Sequence, residues 1–377
     1  MRNDDNTLHS SIGASSCYRW FNCPGSNKLI EGLPIPPASR YAAEGTEAHK
    51  IAENTLRVLQ TEPERYDDLK AGDFRDDMFD AVFAYIQHIK STLDKYGMKW
   101  SDLLVEQKFQ LDDVDKYAFG TCDCILEVPF DRLVVFDFKY GQGIPVEVED
   151  NLQLKYYALG GIKYAKTDVE EVELVIVQPR AYHQEGIVRS WVTTSTALKG
   201  FSDELRDAIS RTRKKNPMVV LGSWCKFCPA KAICPKQHEQ ATAIATTVFS
   251  PISVEQLRLD QITDILSKGD QIREFLDAVF ALAETKAIQG EVIPGYKLVA
   301  KKSNREWAVP EDAEKQLSEQ LGEEAFVTTR KLLSPAQAEK LLKDIPPTIK
   351  PDKGLTLVEE SDQRKAVSAS AFNVITV

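Results

Sequence analysis

The sequence has no apolar run approaching the ~20 residues of a membrane-spanning helix, and its first ten residues, MRNDDNTLHS, are polar. Neither a membrane span nor a secretory leader is expected, and the chain reads as cytoplasmic. Positive charge is in deficit: 47 Lys and Arg stand against 57 Asp and Glu, a formal charge of −10. Taken alone, that balance argues against a nucleic-acid partner, although a ligand responds to nearby charges more than to the sum. No internal repeat is visible. Seven cysteines in a cytoplasmic chain are not expected to form a disulfide framework. What is there is a folded composition over 377 residues, 43% hydrophobic and 28% charged, enough for one large domain or two ordinary ones.

The first forty residues, with Pro24, Pro34, Pro36 and Pro37, read as loop. Apolar residues at helical spacing predict helices over about 41–59, where Ala48, Ile51, Ala52 and Leu59 form a stripe, and over 77–96 through Val82, Ile86, Ile89 and Leu93. The period then changes. Residues 103–110, 119–128 and 133–140 read as strands, the last two joined by the turn PFDR as an antiparallel hairpin. A helix over 151–165, strands over 172–178 and 187–193, and a helix over 196–214 follow. This order predicts an α/β fold with a mixed central sheet flanked by helices.

A boundary is expected in ATAIATTVFSPIS, after which Ser253 and Gln256 pattern as a capping box opening a helix to about Ile288. A strand-like YKLVAKK and a helix start at Ser334-Pro335-Ala336-Gln337 come next. The expected organisation is a main domain over 1–245, a mainly helical accessory region over 246–345 and an extended or partly disordered tail over 346–377. Within the accessory region Lys301, Lys302, Arg305 and Trp307 suit a nucleic-acid backbone and a stacked base, and equally an exposed strand with an aromatic anchor.

Residues 134–141, VVFDFKYG, pose the main question. Strand alternation puts Asp137 and Lys139 on one face, about 7 Å apart, and Phe136 and Phe138 on the other. The hairpin partner carries Asp123 in GTCD. Two carboxylates on neighbouring strands suit a hard divalent cation, and a lysine beside them can stabilise negative charge or orient water. By themselves, such residues are as well explained by a solvated sheet face. His49, on the core side of the first long helix, is alone more often a satisfied core group than a ligand. Gln153 and Tyr157 lie four apart on the helix after the acidic strand, hence on one face. Cys122 and Cys124 alternate with Asp123 and read as core on the opposite side.

Residues 225–234, CKFCPAKAIC, place Cys225, Cys228 and Cys234 in a C-x2-C-x5-C pattern. Three thiolates so close form a soft-metal site in need of a fourth ligand, and Cys23, in FNCPGS, is the natural candidate. A zinc ribbon would offer two close pairs, which this chain lacks, whereas a [4Fe–4S] cluster accepts three plus one. Around this segment, between Arg206 and Lys236, eight basic residues, Arg211, Arg213, Lys214 and Lys215 among them, face one acid, Asp207. This is a basic island in an acidic chain, suited to DNA or to a solvated helix end.

The order His49, Gly120-x-x-Asp123, Asp137-x-Lys139, Gln153-x-x-x-Tyr157 resembles the PD-(D/E)XK nuclease superfamily, specifically its RecB-like branch. The resemblance covers roughly residues 10–240. Cys122 stands where the superfamily's proline would precede Asp123. The resemblance implies that His49, Asp123 and Asp137 bind Mg2+ or Mn2+. It implies that Lys139 acts on the attacking water or the scissile phosphate, and that Gln153 and Tyr157 position DNA or the lysine. Glu106 is a less certain member. The cysteines resemble those of the iron–sulfur subgroup, in which a [4Fe–4S] cluster staples the nuclease domain's ends; there Cys17 competes with Cys23, and the Cys-Pro context favours Cys23. The whole chain, with GYKLVAKKSNREW and LTLVEESDQR, is similar to an uncharacterised family of phage and prophage nucleases. The implied function is an exonuclease acting on single- or double-stranded DNA ends in phage recombination or replication. A phage recombination or single-strand-binding protein is the implied partner, and no membrane is involved. Rival readings are a non-cleaving DNA-binding or scaffolding protein with zinc at the cysteines, and a nuclease acting on RNA.

Overall fold

The computed structural model describes residues 11–34, 40–71, 77–248 and 259–302 and most of 305–367. Two compact units are present, the first ending at Phe275 and the second beginning at Leu276. In chain order the first holds short helices α1 (Cys17–Asn22) and α2 (Gly25–Ile30), then α3 (Arg40–Thr61), α4 (Arg65–Ala71) and α5 (Asp77–Tyr96). Strands β1 (Leu103–Gln110), β2 (Phe119–Val128) and β3 (Arg132–Phe138) follow, then α6 (Leu152–Tyr164), β4 (Glu171–Val177), β5 (Val188–Thr194), α7 (Ser195–Thr212) and α8 (Pro235–Val248). The division between the units falls inside α9 (Leu259–Ile288).

The five strands form one mixed sheet in the order β1-β2-β3-β4-β5. Only β3 and β4 pair in parallel; the other neighbours are antiparallel. The parallel pair exists because α6 crosses over between its strands, as a parallel connection requires. Alternation along the strands sends side chains into two cores. Leu133 and Val135 join Leu154, Tyr156 and Tyr157 of α6 and Phe201 and Leu205 of α7 on one face. Val134, Phe136 and Phe138 join Ala48, Ala52 and Leu56 of α3 and Tyr85, Ile86 and Ile89 of α5 on the other. The chain is thus an α/β fold with a five-stranded mixed sheet flanked by helices.

The amino-terminal segment differs from its expected loop. Residues 17–22 and 25–30 are helical, and Cys17 and Trp20 are fully buried. Six-residue helices are too short to display a period, and the burial of Trp20, whose Nε1–H donates to Gly13 O at 3.1 Å, stabilises what propensity would not. The expected capping box at Ser253 and Gln256 lies outside the described residues.

The second unit contains β6 (Tyr296–Ala300), β7 (Glu306–Trp307), α10 (Pro310–Leu321), β8 (Phe326–Thr328), β9 (Lys331–Leu332), α11 (Pro335–Ala338), β10 (Thr348–Ile349) and β11 (Leu355–Glu359). Ser334 and Gln337 make the capping box that opens α11. Three residues there with nucleic-acid potential have internal partners: Lys301 lies 3.7 Å from Glu284, Arg305 pairs with Glu339, and Trp307 Nε1–H donates to Leu333 O at 3.0 Å.

Close approach of α6 to the sheet depends on Gly160, where a Cβ would meet the ring of Phe109 at 2.3 Å. Phe109 is itself buried and cannot turn away into solvent. Gly160→Ala is expected to lower stability by about 1–3 kcal/mol through overpacking. Urea-denaturation midpoints at pH 7 measure this, and an unchanged midpoint would mean that α6 shifts freely on the sheet.

Candidate active site and cysteine cavity

The ladder between β2 and β3 runs from Val128↔Arg132 up to Cys124↔Phe136 and stops. Beyond that point the Asp123 carboxylate replaces the missing strand partner, accepting from Phe138 N–H at 2.8 Å. On its other side β1 also departs from regular geometry: the register skips Glu106, whose φ of 47° lies in the left-handed region that non-glycine residues adopt at a cost. The pleat of β2 shifts at the same place. Cys122 and Cys124, expected on one face, are both buried but belong to opposite cores, on either side of the position where Glu106 interrupts the β1–β2 ladder. Glu106, Asp123 and Asp137 gather where these two ladders are interrupted, as an acidic gap.

Neighbouring elements aim side chains into it. The buried stripe Ala48, Ala52, Leu56 and Leu59 holds α3 on the sheet, which sets His49 at the stripe's edge. Its Nδ1 lies 3.5 Å from Asp123 Oδ1, and its ring packs 5.4 Å from that of Phe138. Asn151 caps α6, accepting from Gln153 N–H and Leu154 N–H at 3.0 and 3.1 Å, so Gln153 falls in the first turn. Gln153 Nε2–H donates to Tyr157 OH at 2.9 Å and reaches Asp137 Oδ1 at 3.5 Å, while its Oε1 accepts from Lys139 Nζ at 3.1 Å. Lys139 Nζ also lies 2.8 Å from Asp137 Oδ2 in an ion pair. Asp137 is 2% exposed, so its carboxylate depends on the Lys139 cation beside it.

The acids differ in proton affinity. Burial pushes the Asp137 carboxyl up, against the pull of Lys139. Burial also opposes ionisation of Asp123, but His49, Lys139 and the Phe138 N–H outweigh it and hold Asp123 low. Glu106 is pushed up to about 7, by burial first and by the Asp123 charge second. His49 is raised despite burial, because Asp123 favours its cation. Lys139 stays charged for the same kind of reason, with Asp137 offsetting its burial. One ligand atom each from His49, Glu106 and Asp123 lie within 4.8 Å of one another. The tightest grouping therefore includes Glu106, while Asp137 is turned toward Lys139.

The cysteines meet elsewhere in this unit. Cys23, at the junction of α1 and α2, lines one cavity with Cys225, Cys228 and Cys234. Val220 N–H donates to Cys23 Sγ at 3.3 Å, and Gly25 N–H to Met218 O at 2.8 Å, so distant segments are joined here by backbone contacts. Cys17 does not line the cavity; it is in the core with Trp20 and Tyr156, where burial pushes its thiol far up. The cavity wall also holds Arg19, which belongs to no motif of the sequence. Its Nη1 donates to Ser26 Oγ at 2.8 Å and Asn27 Oδ1 at 3.0 Å, both neutral, and the nearest charge effects on it come from Cys228 and Cys23. Its place four residues before Cys23, one helical turn away, was the available signal.

Residues 9–365 match a family described as "Protein of unknown function (DUF2800)". The chain belongs to the DUF2800 family. Among solved structures it is similar to a proposed exonuclease from Eubacterium rectale, at 12% identity over 56% of this chain and 85% of that one, with a TM-score of 0.34. A second similar structure, SSO0001, is 15% identical over 63% of this chain and 89% of its own, with a TM-score of 0.28.

In this DUF2800 protein the basic island is largely neutralised. Arg211 pairs with Asp207 at 3.0 Å, and Arg213 grips Asp115 through two contacts of 2.5 and 2.7 Å. Lys231 pairs with Glu274 at 2.5 Å and Lys236 with Glu239 at 2.7 Å. Asp115, Glu239 and Glu274 all lie outside the 206–236 stretch of the sequence. Lys214 and Lys215 are exposed and make no ion pair among the described residues. No helix among the described residues is long and apolar enough to cross a membrane.

Glu106 supplies a test of the acidic gap. Its folded pKa, about 7, lies above the ordinary ~4.3 of a glutamate. Its contribution to stability is therefore complete below the ordinary value and is lost as pH rises through about 7. Glu106→Gln, permanently neutral, is expected to melt higher than the parent in EDTA at pH 8, by on the order of 1 kcal/mol after solvent screening. The difference narrows toward pH 4.5. A lower or equal melting temperature at pH 8 would contradict the crowding of Glu106 and Asp123.

Proposed function

We propose that this protein is a metal-dependent nuclease that hydrolyses phosphodiester bonds of DNA, working from ends. The observation that carries this reading is the acidic gap itself: a polar trio of His49, Glu106 and Asp123 beside a lysine fixed by Asp137 and Gln153. The donor set fits Mg2+ or Mn2+. It is mostly carboxylate oxygen with one imidazole, and one ligand atom each from His49, Glu106 and Asp123 lies within 4.8 Å of the others. A bound divalent ion would supply charge for a transferring phosphoryl group and acidify water.

The chain's own groups have distinct tasks. Asp137 and Gln153 hold the Lys139 ammonium from two sides, and Tyr157 fixes the Gln153 amide, so the cation is in place before substrate arrives. Preorganised charge of this kind stabilises a developing phosphorane without reorganisation. Asp123, held low, keeps its charge, while Glu106 sits near the pKa at which a carboxylate can exchange protons at neutral pH. His49 fixes the Asp123 carboxylate on the α3 side.

The cysteine cavity is read as a [4Fe–4S] site held by Cys23, Cys225, Cys228 and Cys234. Two features support it. Arg19 is a cation among thiols whose hydrogen-bond partners are neutral, which suits an anionic thiolate–metal occupant. Cys23, Cys225, Cys228 and Cys234 line one cavity, the three-plus-one set that such a cluster accepts. The DNA ends of this proposal are single- or double-stranded; the phage setting and a recombination or single-strand-binding partner remain part of the same reading.

The first test compares linear with covalently closed circular DNA in Mg2+ or Mn2+. Loss of linear DNA alone is expected, and Asp137→Ala or Lys139→Ala should each reduce it by roughly 10²-fold or more while leaving the melting temperature within a few degrees. Full activity in either variant removes the assignment, and cutting of the circle makes the protein an endonuclease. Separately, anaerobically purified protein should be brown with absorption near ~400 nm, and Cys228→Ser should lose colour and melt lower. A colourless parent that holds zinc overturns the cluster.

A further inference from the structure

The loop between β4 and β5, residues 178–187, is built more firmly than a surface connection needs. At its base Gln178 N–H donates to Ile187 O at 2.8 Å. Gln178, buried, accepts from Val146 N–H at 3.0 Å and donates to Ile144 O at 2.9 Å. Arg189, only 2% exposed, donates to Gln178 Oε1 at 2.8 Å, to Val146 O at 3.0 Å and to Gly186 O at 3.0 Å. A buried guanidinium hydrogen-bonded to neutral oxygens is costly to assemble, and this one ties the loop to residues 144–146, the segment that leaves the end of β3.

That is the end of the sheet at which Lys139 lies. Since β3 and β4 are parallel, their following loops emerge together, and Lys139 N–H donates to Val177 O at 2.9 Å. From the loop, Arg180 sits 4.2 Å over the ring of Tyr140, the residue after Lys139. Its guanidinium is 3.8 Å from Glu44 on α3, and Gln142, its amide turned so that the oxygen faces Arg180, accepts from Nε at 2.9 Å. Arg180 thus touches the strand end and the helix that carry Lys139 and His49. Two residues on, the chain reverses its exposure: Ala181 is 4% exposed and Tyr182 is 88% exposed. A rigid loop beside the acidic gap holds a large ring out in water, with a cation next to it.

We propose that this loop is a nucleotide subsite, in which Tyr182 stacks on an unpaired base of the strand entering the gap and Arg180 adds charge for its phosphate. A paired base has no free face for the ring, so the subsite favours a single strand over a blunt duplex. An aromatic platform with an adjoining cation is the general solution for holding unpaired bases without reading their sequence, and a pinned loop lowers the ordering cost of that contact. The inference rests on the nuclease reading for the role of the gap, and its test is made by binding.

The probe is a 5′-fluorescein dT oligonucleotide, compared with a labelled blunt hairpin duplex, by anisotropy in Ca2+. The parent should bind the single strand more tightly. Tyr182→Ala should weaken that binding about tenfold and leave the duplex unchanged, and Tyr182→Phe should bind as the parent does. Arg180→Gln should lower the salt slope on the single strand by about 0.7. Equal single-strand affinity for parent and Tyr182→Ala, or equal losses on both probes, overturns the subsite. If the parent degrades linear DNA and Tyr182→Ala matches it in binding and cleavage, the subsite fails and the nuclease reading stands. If Tyr182-dependent binding occurs and no divalent ion supports cleavage, the subsite stands and the nuclease reading fails. A parent that binds neither probe overturns both.

Discussion

The hydrogen bond from Phe138 N–H to the Asp123 carboxylate is the interaction on which the rest of the site depends. A side-chain oxygen replaces a strand carbonyl at the point where β2 and β3 would otherwise stay paired. The sheet therefore opens without leaving a buried N–H unsatisfied, which would itself cost a hydrogen bond's worth of stability. Opening makes room for Asp137, admits Lys139 from the strand end, and lets His49 reach in from α3. The same carboxylate serves as structural cap and as a charge in the gap.

Concentrating acids in a half-buried gap works against stability, and the distribution of protons records it. Asp123 is held low by its donors while Asp137 and Glu106 are pushed up. Glu106 adds a left-handed backbone. The two cores offset these penalties, one under α6 and α7 and one under α3 and α5, and they clamp the strands on both faces while leaving the ends free to splay. Strain located where chemistry is proposed, with ordinary packing elsewhere, is a common division of labour in folded proteins. The cysteine cavity lies in the same unit and joins the amino-terminal helices to the segment after α7.

Much of this was legible in the residues. Helix α5 and strands β1 and β2 coincide with their patterned segments, because a stripe at helical spacing or a strict alternation is a local property of the chain. The alternation in VVFDF correctly separates Phe136 and Phe138 from Asp137. Four-residue spacing correctly brings Gln153 to Tyr157. Less legible were α1 and α2, whose helicity comes from the burial of Trp20, and the pleat shift that sends Cys122 and Cys124 to opposite cores. The charge count around Arg213 was misleading for a related reason: its partner, Asp115, is distant in sequence and adjacent only in the fold.

The sequence by itself determined the element order from α5 to α7, the mixed α/β class and the set of residue types able to hold a hard cation and a soft one, since each follows from periodicity and side-chain chemistry. Tertiary structure alone decided that Glu106 joins His49 and Asp123 while Asp137 turns to Lys139, that Arg19 stands among the thiols, and that Arg180 lies against Tyr140. These are distances between segments brought together by burial and strand pairing. A local pattern states which face a residue occupies; only the packed sheet states what stands opposite it.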